Sequence, residues 1–208
     1  MASVTHDGHT FSIDGRRVWV VSGTVHYARI PPELWRARLL AARRAGLNCI
    51  ETPVVWGLHE PHPGHIESGG AVDLGKFLKL VHELGMHAIV RVGPYVGEGY
   101  DLGGLPSWII PETKGNLRTA DAAFLKACSR FASALGGVLG PLQVTKRGPV
   151  LAVQWEHEWF FGDDELGEAY LGELLRFLRE AGIDLPVLNR NNLFQSVEKE
   201  IGCWTGYA

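Results

Sequence analysis

The sequence predicts an α/β fold of the (β/α)8 TIM-barrel type, with about five βα units present in the 208 residues. Three observations carry this expectation. Amphipathic helical stretches alternate with short apolar runs, the arrangement that produces parallel strands. The runs are apolar almost throughout rather than at every second residue, as in a sheet covered on both faces. The unusual polar and aromatic residues all fall just after the C-terminal ends of those runs. A doubly wound sheet would satisfy the first two observations, but no G-x-G-x-x-G opens a helix after a strand. The third favours a barrel, in which strand C-termini converge on one face.

The elements follow in order. "FSIDGRRV" (11–18), with Asp14-Gly15 at its turn, reads as a hairpin that plugs or flanks the far end of the barrel. "RVWVVSGTVHY" (17–27) supplies the first barrel strand. "PPELWRARLLAARRAGL" (31–47) has helical periodicity, with Leu34, Trp35, Leu39 and Leu40 inward and Arg36, Arg43 and Arg44 outward. It stops at Gly46 before the strand "NCIETPVVW". "DLGKFLKLVHELGM" (73–86) puts Leu74, Phe77, Leu78, Val81 and Leu84 on one face and reaches Gly85 before "HAIVRVGPYV". "AAFLKACSRFASALGGVLG" (122–140) is amphipathic through Phe124, Cys128, Phe131 and Leu135, and a Gly/Pro connection leads to "PVLAVQWE". "DELGEAYLGELLRFLREAGI" (164–183) ends at Gly182 before "LPVLNRN".

Composition narrows the function classes. Twenty basic and 23 acidic residues give a net charge of −3 without runs of either sign, so neither a nucleic-acid surface nor a polyanionic tail is indicated. No uninterrupted apolar stretch approaches the roughly 18 residues of a membrane span. "MASVTHDGHTF" lacks the basic and apolar regions of a secretory signal. Cys49, Cys128 and Cys203 are too few for a disulfide framework and read as reduced thiols. A cytoplasmic, single-domain protein acting on a small neutral ligand is the expectation.

"VQWEHEW" (153–159) crowds two carboxyls and an imidazole at the tip of a core strand, where each is unfavourable unless paired or used. In a regular strand Glu156 and Glu158 would face the same way, although strand ends often bulge. They either pair with Arg91 or Arg190, or one is a general acid kept protonated beside Trp155 and Trp159. Glycosidic cleavage needs such a group, together with a second carboxylate. "VVWGLHEPHPGH" offers His59, Glu60, His62 and His65, but the prolines at 61 and 63 make a turn rather than a helix that would stack two imidazoles. Hydrogen bonding and pocket lining are expected there, and no metal site. "RVGPYVGEGYDLGGLPSW" (91–108) reads either as a tight glycine loop or as a sugar platform of aromatics and carboxylates, including Tyr95 and Glu98.

Four of these segments, in order, resemble motifs of the family 35 glycoside hydrolases, the retaining β-galactosidases. "SGTVHYARIPPELW" resembles S-G-x-x-H-Y-x-R-x-P-x-x-x-W, and "ETPVVWGLHEP" resembles T-Y-V-x-W-N-x-H-E-P. "RVGPYVGEGYDLGGLPSW" resembles R-x-G-P-Y-x-C-A-E-W-x-x-G-G-x-P-x-W, and "VQWEHEWF" resembles Q-V-E-N-E-Y-G. The resemblance implies the N-terminal portion of a catalytic barrel over residues 1–208, a carbohydrate substrate, and no metal or organic cofactor. Glu158 matches the acid/base carboxylate and Tyr27 a galactose-contacting tyrosine; Tyr95, Glu98, His157 and Asn191 would bind the sugar. There are departures. His157 stands where the family has asparagine, Gly57 replaces another asparagine, and Gly99 occupies the position of a sugar-binding glutamate, with Glu98 one residue earlier. The family's nucleophilic glutamate follows a later strand, and no strand is expected before Glu198 or Glu200. The implied partner is therefore a further segment, or a second copy, that completes the barrel. The alternative is a carbohydrate-binding or scaffold relative without catalysis.

Overall fold

The computed structural model describes residues 3–7, 9–160, 164–190 and 200–203. Three short strands, β1 (Val4–His6), β2 (Phe11–Ile13) and β3 (Arg16–Val18), form an antiparallel sheet. It turns at Asp14-Gly15, both in left-handed backbone. Six parallel strands follow: β4 (Ser22–Thr24), β5 (Cys49–Pro53), β6 (His87–Gly93), β7 (Val150–Trp155), β8 (Val187–Asn189) and β9 (Glu200–Gly202). Between them lie α1 (Pro32–Arg44), α2 (Trp56–His59), α3 (Leu74–Glu83), α4 (Ile109–Thr113), α5 (Ala122–Leu139) and α6 (Asp164–Glu180).

The six strands pair strictly in sequence order. A doubly wound sheet reverses direction at a switch point; this one never does, so the curling sheet of a barrel is the correct reading. Among the described residues it does not close, and β4 and β9 are its edges. β9 corrects the expected strand count. Glu200–Gly202 pairs parallel to β8, Val187 opposite Glu200 and Asn189 opposite Gly202, yet three residues reading Glu-Ile-Gly carry no periodicity that marks a strand.

Parallel register sorts the side chains into two faces. Ile50, Val90, Val92, Val153, Trp155 and Val187 belong to the main core shared with the helices, whereas Cys49, Ile89 and Ala152 form a separate cluster capped by Phe11, Val20 and Leu188. The second cluster lies on the barrel's inner face, and the small N-terminal sheet plugs it from below, as expected.

The helices begin and end where local chemistry dictates. Asp73 caps α3 by accepting from the Lys76 amide, and Asp121 caps α5 by accepting from Ala123 and Phe124. The predicted stops at Gly46, Gly85 and Gly182 all have left-handed backbone. The inward set of α3 is buried as predicted, but Leu34 of α1, expected inward, is largely exposed. By length and composition, 122–142 also meets the requirement for crossing a bilayer. In the fold its apolar character is used in the core, where Phe124, Cys128, Phe131 and Leu135 are buried. Gly136 lets α5 approach the end of α6: a Cβ there would sit 2.3 Å from the Ala181 carbonyl oxygen.

Candidate active site

Above the apolar plug, the inner face becomes polar. Register pairs Thr24 of β4 with Glu51 of β5 and Arg91 of β6 with Gln154 of β7; Arg91 lies on the same face as Glu51, two residues beyond Ile89, the partner of Glu51. Thr24 Oγ1 donates to Glu51 Oε2 at 2.7 Å. Glu51 Oε1 lies 3.1 Å from Arg91 Nε, close enough for an ion pair but not aligned for a hydrogen bond. The Arg91 guanidinium, 3% exposed, also donates from Nη1 to Glu98 Oε1 at 2.7 Å and to the Val96 carbonyl at 2.8 Å. Glu98 Oε2 stands 3.8 Å from His26 Nε2, and His26 Nδ1 is 3.3 Å from the Tyr100 hydroxyl. One arginine therefore joins a largely covered carboxylate below, 13% exposed, to a more exposed one above. Burial raises the Glu51 carboxyl against the pull of Arg91 and Thr24. Burial also opposes ionisation of Glu98, but the hydrogen bond and charge of Arg91 prevail and hold it below the usual carboxylate range.

At the end of β7 the two glutamates part company. Both have left-handed backbone, Glu156 at φ +60° and Glu158 at φ +50°, a conformation unfavourable for non-glycine residues by about 1–3 kcal/mol each and concentrated at functional sites. Glu156 is fully buried. It is held by Arg118 at 3.2 and 2.8 Å, by the Tyr170 hydroxyl at 2.6 Å and by the His157 amide at 2.9 Å. The expected ion pair exists, but its partner is Arg118 rather than Arg91 or Arg190. Arg118 also donates to the His157 carbonyl at 2.8 Å, so it braces the turn that aims Glu158.

The Glu158 side chain is 42% exposed, its Oε1 is 3.8 Å from His157 Nε2, and its amide donates to the Arg190 carbonyl at 3.2 Å. The expected shelter between indoles is absent: Trp155 and Trp159 are buried in the main core, and Trp159 Nε1 donates to the Arg118 carbonyl at 3.0 Å. His157 is buried beside Glu158. Its imidazole is pushed down to about 3 by burial, then by Arg91 and Arg190, against the pull of Glu98. It is therefore neutral near neutral pH.

The other predicted residues separate. Tyr27 does not line the site. It is 0% exposed, its ring packs on Trp35 and Phe77, and its hydroxyl bonds His59 Nε2. A phenol enclosed by aromatics on an inward-turning 3-10 segment has no surface left for a sugar. Tyr95 lies under the Arg118 guanidinium, 3.8 Å from its ring centroid, with Gly103 so close that a Cβ there would sit 1.8 Å from Cε2. It shapes the wall behind His157 more than it offers a stacking face. His157 stands beside Glu158, and Glu98, on Arg91, acts electrostatically on the same imidazole. Asn191 lies outside the described residues.

In the 59–67 turn, His59 bonds Tyr27 and the Glu67 carbonyl, Glu60 meets Arg130, Trp56 and the Gly64 amide, and His65 meets Glu67. These side chains are occupied in holding the turn. No group of three potential metal ligands occurs among the described residues. Sequence reasoning missed Gln154, Arg118 and Tyr170. Gln154 was findable from its period-two alignment with Ala152 and Arg91; nothing in "GNLRTAD" singles out Arg118.

A parallel barrel sheet with carboxylates, an arginine and a neutral histidine gathered at its strand C-termini defines the TIM-barrel class of fold in which glycoside hydrolases are found. Solved structures agree at the level of fold. An exo-β-1,4-mannosidase from Opitutaceae bacterium strain TAV5 superposes with a TM-score of 0.64 at 17% identity, over 85% of this chain and 32% of that one. A β-galactosidase from the psychrophilic Marinomonas ef1 does so at 0.65 and 12%, over 82% and 37%. The chain belongs to glycosyl hydrolases family 35, whose model matches residues 10–200. It is 37% identical to β-galactosidase-1-like protein 2 of Homo sapiens over 89% of this chain and 29% of that protein. It is 42% identical to β-galactosidase 8 of Oryza sativa subsp. japonica over 82% and 26%. The chain spans less than a third of the length of these relatives.

Proposed function

We propose that the chain forms the N-terminal part of the catalytic barrel of a retaining β-galactosidase-type hydrolase, in which Glu158 is the acid/base. The observation that carries this is the divergence at the end of β7. Glu156 is fully enclosed with Arg118 and Tyr170, and its neighbour two residues on is left with a solvent-accessible carboxyl beside a neutral imidazole. Glu158 would protonate the leaving oxygen and then deprotonate the attacking water. Glu98, kept ionised by Arg91, would accept from sugar hydroxyls, and His157 would donate to the ligand. Tyr27 has no direct part in this reading. Retention needs a nucleophilic carboxylate roughly 5–5.5 Å from Glu158. Glu51 and Glu98 share Arg91 and Glu156 is closed in, so we assign the nucleophile outside the described residues. Further strands, from the same protein or from a second copy, would extend the open edges at β4 and β9.

The test uses phenyl β-galactoside, whose poor leaving group requires protonation, with azide added as an external nucleophile. Azide would form a C–N bond at the anomeric carbon as the C–O bond breaks, and Glu158 would pass its proton to the departing phenolate. Azide-dependent phenol release is expected, reduced by about 10²–10⁴-fold in Glu158→Gln. Galactoside binding without turnover in either protein would support the non-catalytic carbohydrate-binding reading. Neither binding nor turnover would refute both.

A further inference from the structure

His157 replaces an amide with an imidazole at the centre of the site, and an imidazole can face a ligand as donor or as acceptor according to its tautomer. The surroundings decide which. Gln154 Nε2 lies 2.9 Å from the Glu156 carbonyl oxygen and 2.9 Å from His157 Nδ1. A carbonyl oxygen can only accept, so the end of the Gln154 amide facing it is the NH2 group. The second hydrogen of that nitrogen then points at Nδ1, which must accept it. The ring proton is left on Nε2, the nitrogen 3.8 Å from Glu158 Oε1.

We propose that Gln154 is a positioning residue that locks His157 in the Nε2–H tautomer, so that the imidazole beside Glu158 presents one fixed hydrogen-bond donor and no acceptor. The consequence for recognition deepens the glycosidase reading and rests on it. At this position the ligand must supply an accepting oxygen, such as a sugar hydroxyl, and a group that can only donate is rejected. An asparagine could serve either by rotating its amide; a locked imidazole cannot.

Burial and the charges facing the ring favour the same neutral form. Arg91, Arg190 and Arg118 oppose protonation and Glu98 favours it, with Glu158 alongside. His59 shows the opposite arrangement in the same molecule. Its Nδ1 faces the Glu67 carbonyl at 2.9 Å and must carry the proton, which leaves Nε2 to accept from Tyr27.

The experiment is long-range ¹H–¹⁵N NMR of the histidine rings in the full chain labelled with ¹⁵N-histidine, with the His157 signals assigned by their loss in His157→Asn. Without ligand, a protonated Nε2 and a bare Nδ1 are expected at every pH from 5.5 to 8. Gln154→Met, which keeps the length and removes the donor, should populate the second tautomer. In Gln154→Glu the carboxylate can only accept, which should move the proton to Nδ1. An Nδ1-protonated or mixed ring in the wild type would overturn the proposal, as would an unchanged tautomer in a folded Gln154→Met. The wild-type spectrum decides the matter even if the variants fail to fold. Adding methyl β-galactoside separates the two readings: an Nε2–H signal that does not shift would count against the sugar site while leaving the lock intact.

Discussion

Replacing Arg118 with methionine removes the charge that balances Glu156 and keeps most of the side chain's volume. Glu156 is 0% exposed and Arg118 side-chain exposure is 10%, with two carboxylate contacts at 2.8 and 3.2 Å. Breaking one partner of such a pair leaves an uncompensated buried charge and is destabilising by about 3–5 kcal/mol. Loss of the guanidinium from the Tyr95 ring adds about 0.5–2 kcal/mol. At about 2–4 °C per kcal/mol for a domain of this size, Tm should fall by roughly 10 °C or more. Urea denaturation followed by circular dichroism measures the free energy. In the double variant Arg118→Met/Glu156→Gln the buried carboxylate is gone as well, so much of the loss should be recovered, and the cycle isolates the coupling. A loss below about 1 kcal/mol for Arg118→Met, the value of an exposed ion pair, would refute the view that this buried pair holds the turn presenting Glu158.

Stability should decline as pH falls below about 6.5, where the unfolded chain takes up protons at His157 that the folded chain refuses until about pH 3. The contribution is complete above the unfolded value and is lost on acidification. His26, His59 and His87, all lowered chiefly by burial, act in the same direction. His157→Asn should therefore flatten the slope of unfolding free energy against pH, and an identical slope would sink the assignment. Tyr27→Phe leaves His59 Nε2 without its partner and should destabilise the chain by about 1–3 kcal/mol while leaving galactoside affinity unchanged in calorimetry. A loss of affinity at unchanged stability would return Tyr27 to the site.

The barrel class was legible because its determinants are local and periodic. The inward faces of α3 and α5 follow from the 3.6-residue repeat, the ends of α1, α3 and α6 from the glycines at 46, 85 and 182, and the almost wholly buried β6 and β7 from their continuous apolar runs, none of which requires knowledge of neighbours. β9 was not, because a three-residue strand owes its existence to β8 beside it. Of the candidate site, Glu158 and Glu98 stood out in the sequence as carboxylates after strand ends. Tyr27 misled because its neighbours in sequence are site-like, whereas Trp35 and Phe77, which enclose it, come from α1 and α3.

The sequence alone determined which residue types gather at one end of a parallel sheet, since alternation of helix and strand carries every strand end to the same side. Tertiary structure alone decided what each then does. Two glutamates two residues apart became a buried anchor and an open carboxyl only because Arg118 and Tyr170 arrive from elsewhere in the chain. Charge state and proton position depend on what lies within a few ångströms in space, and that distance is not a property of spacing along the chain.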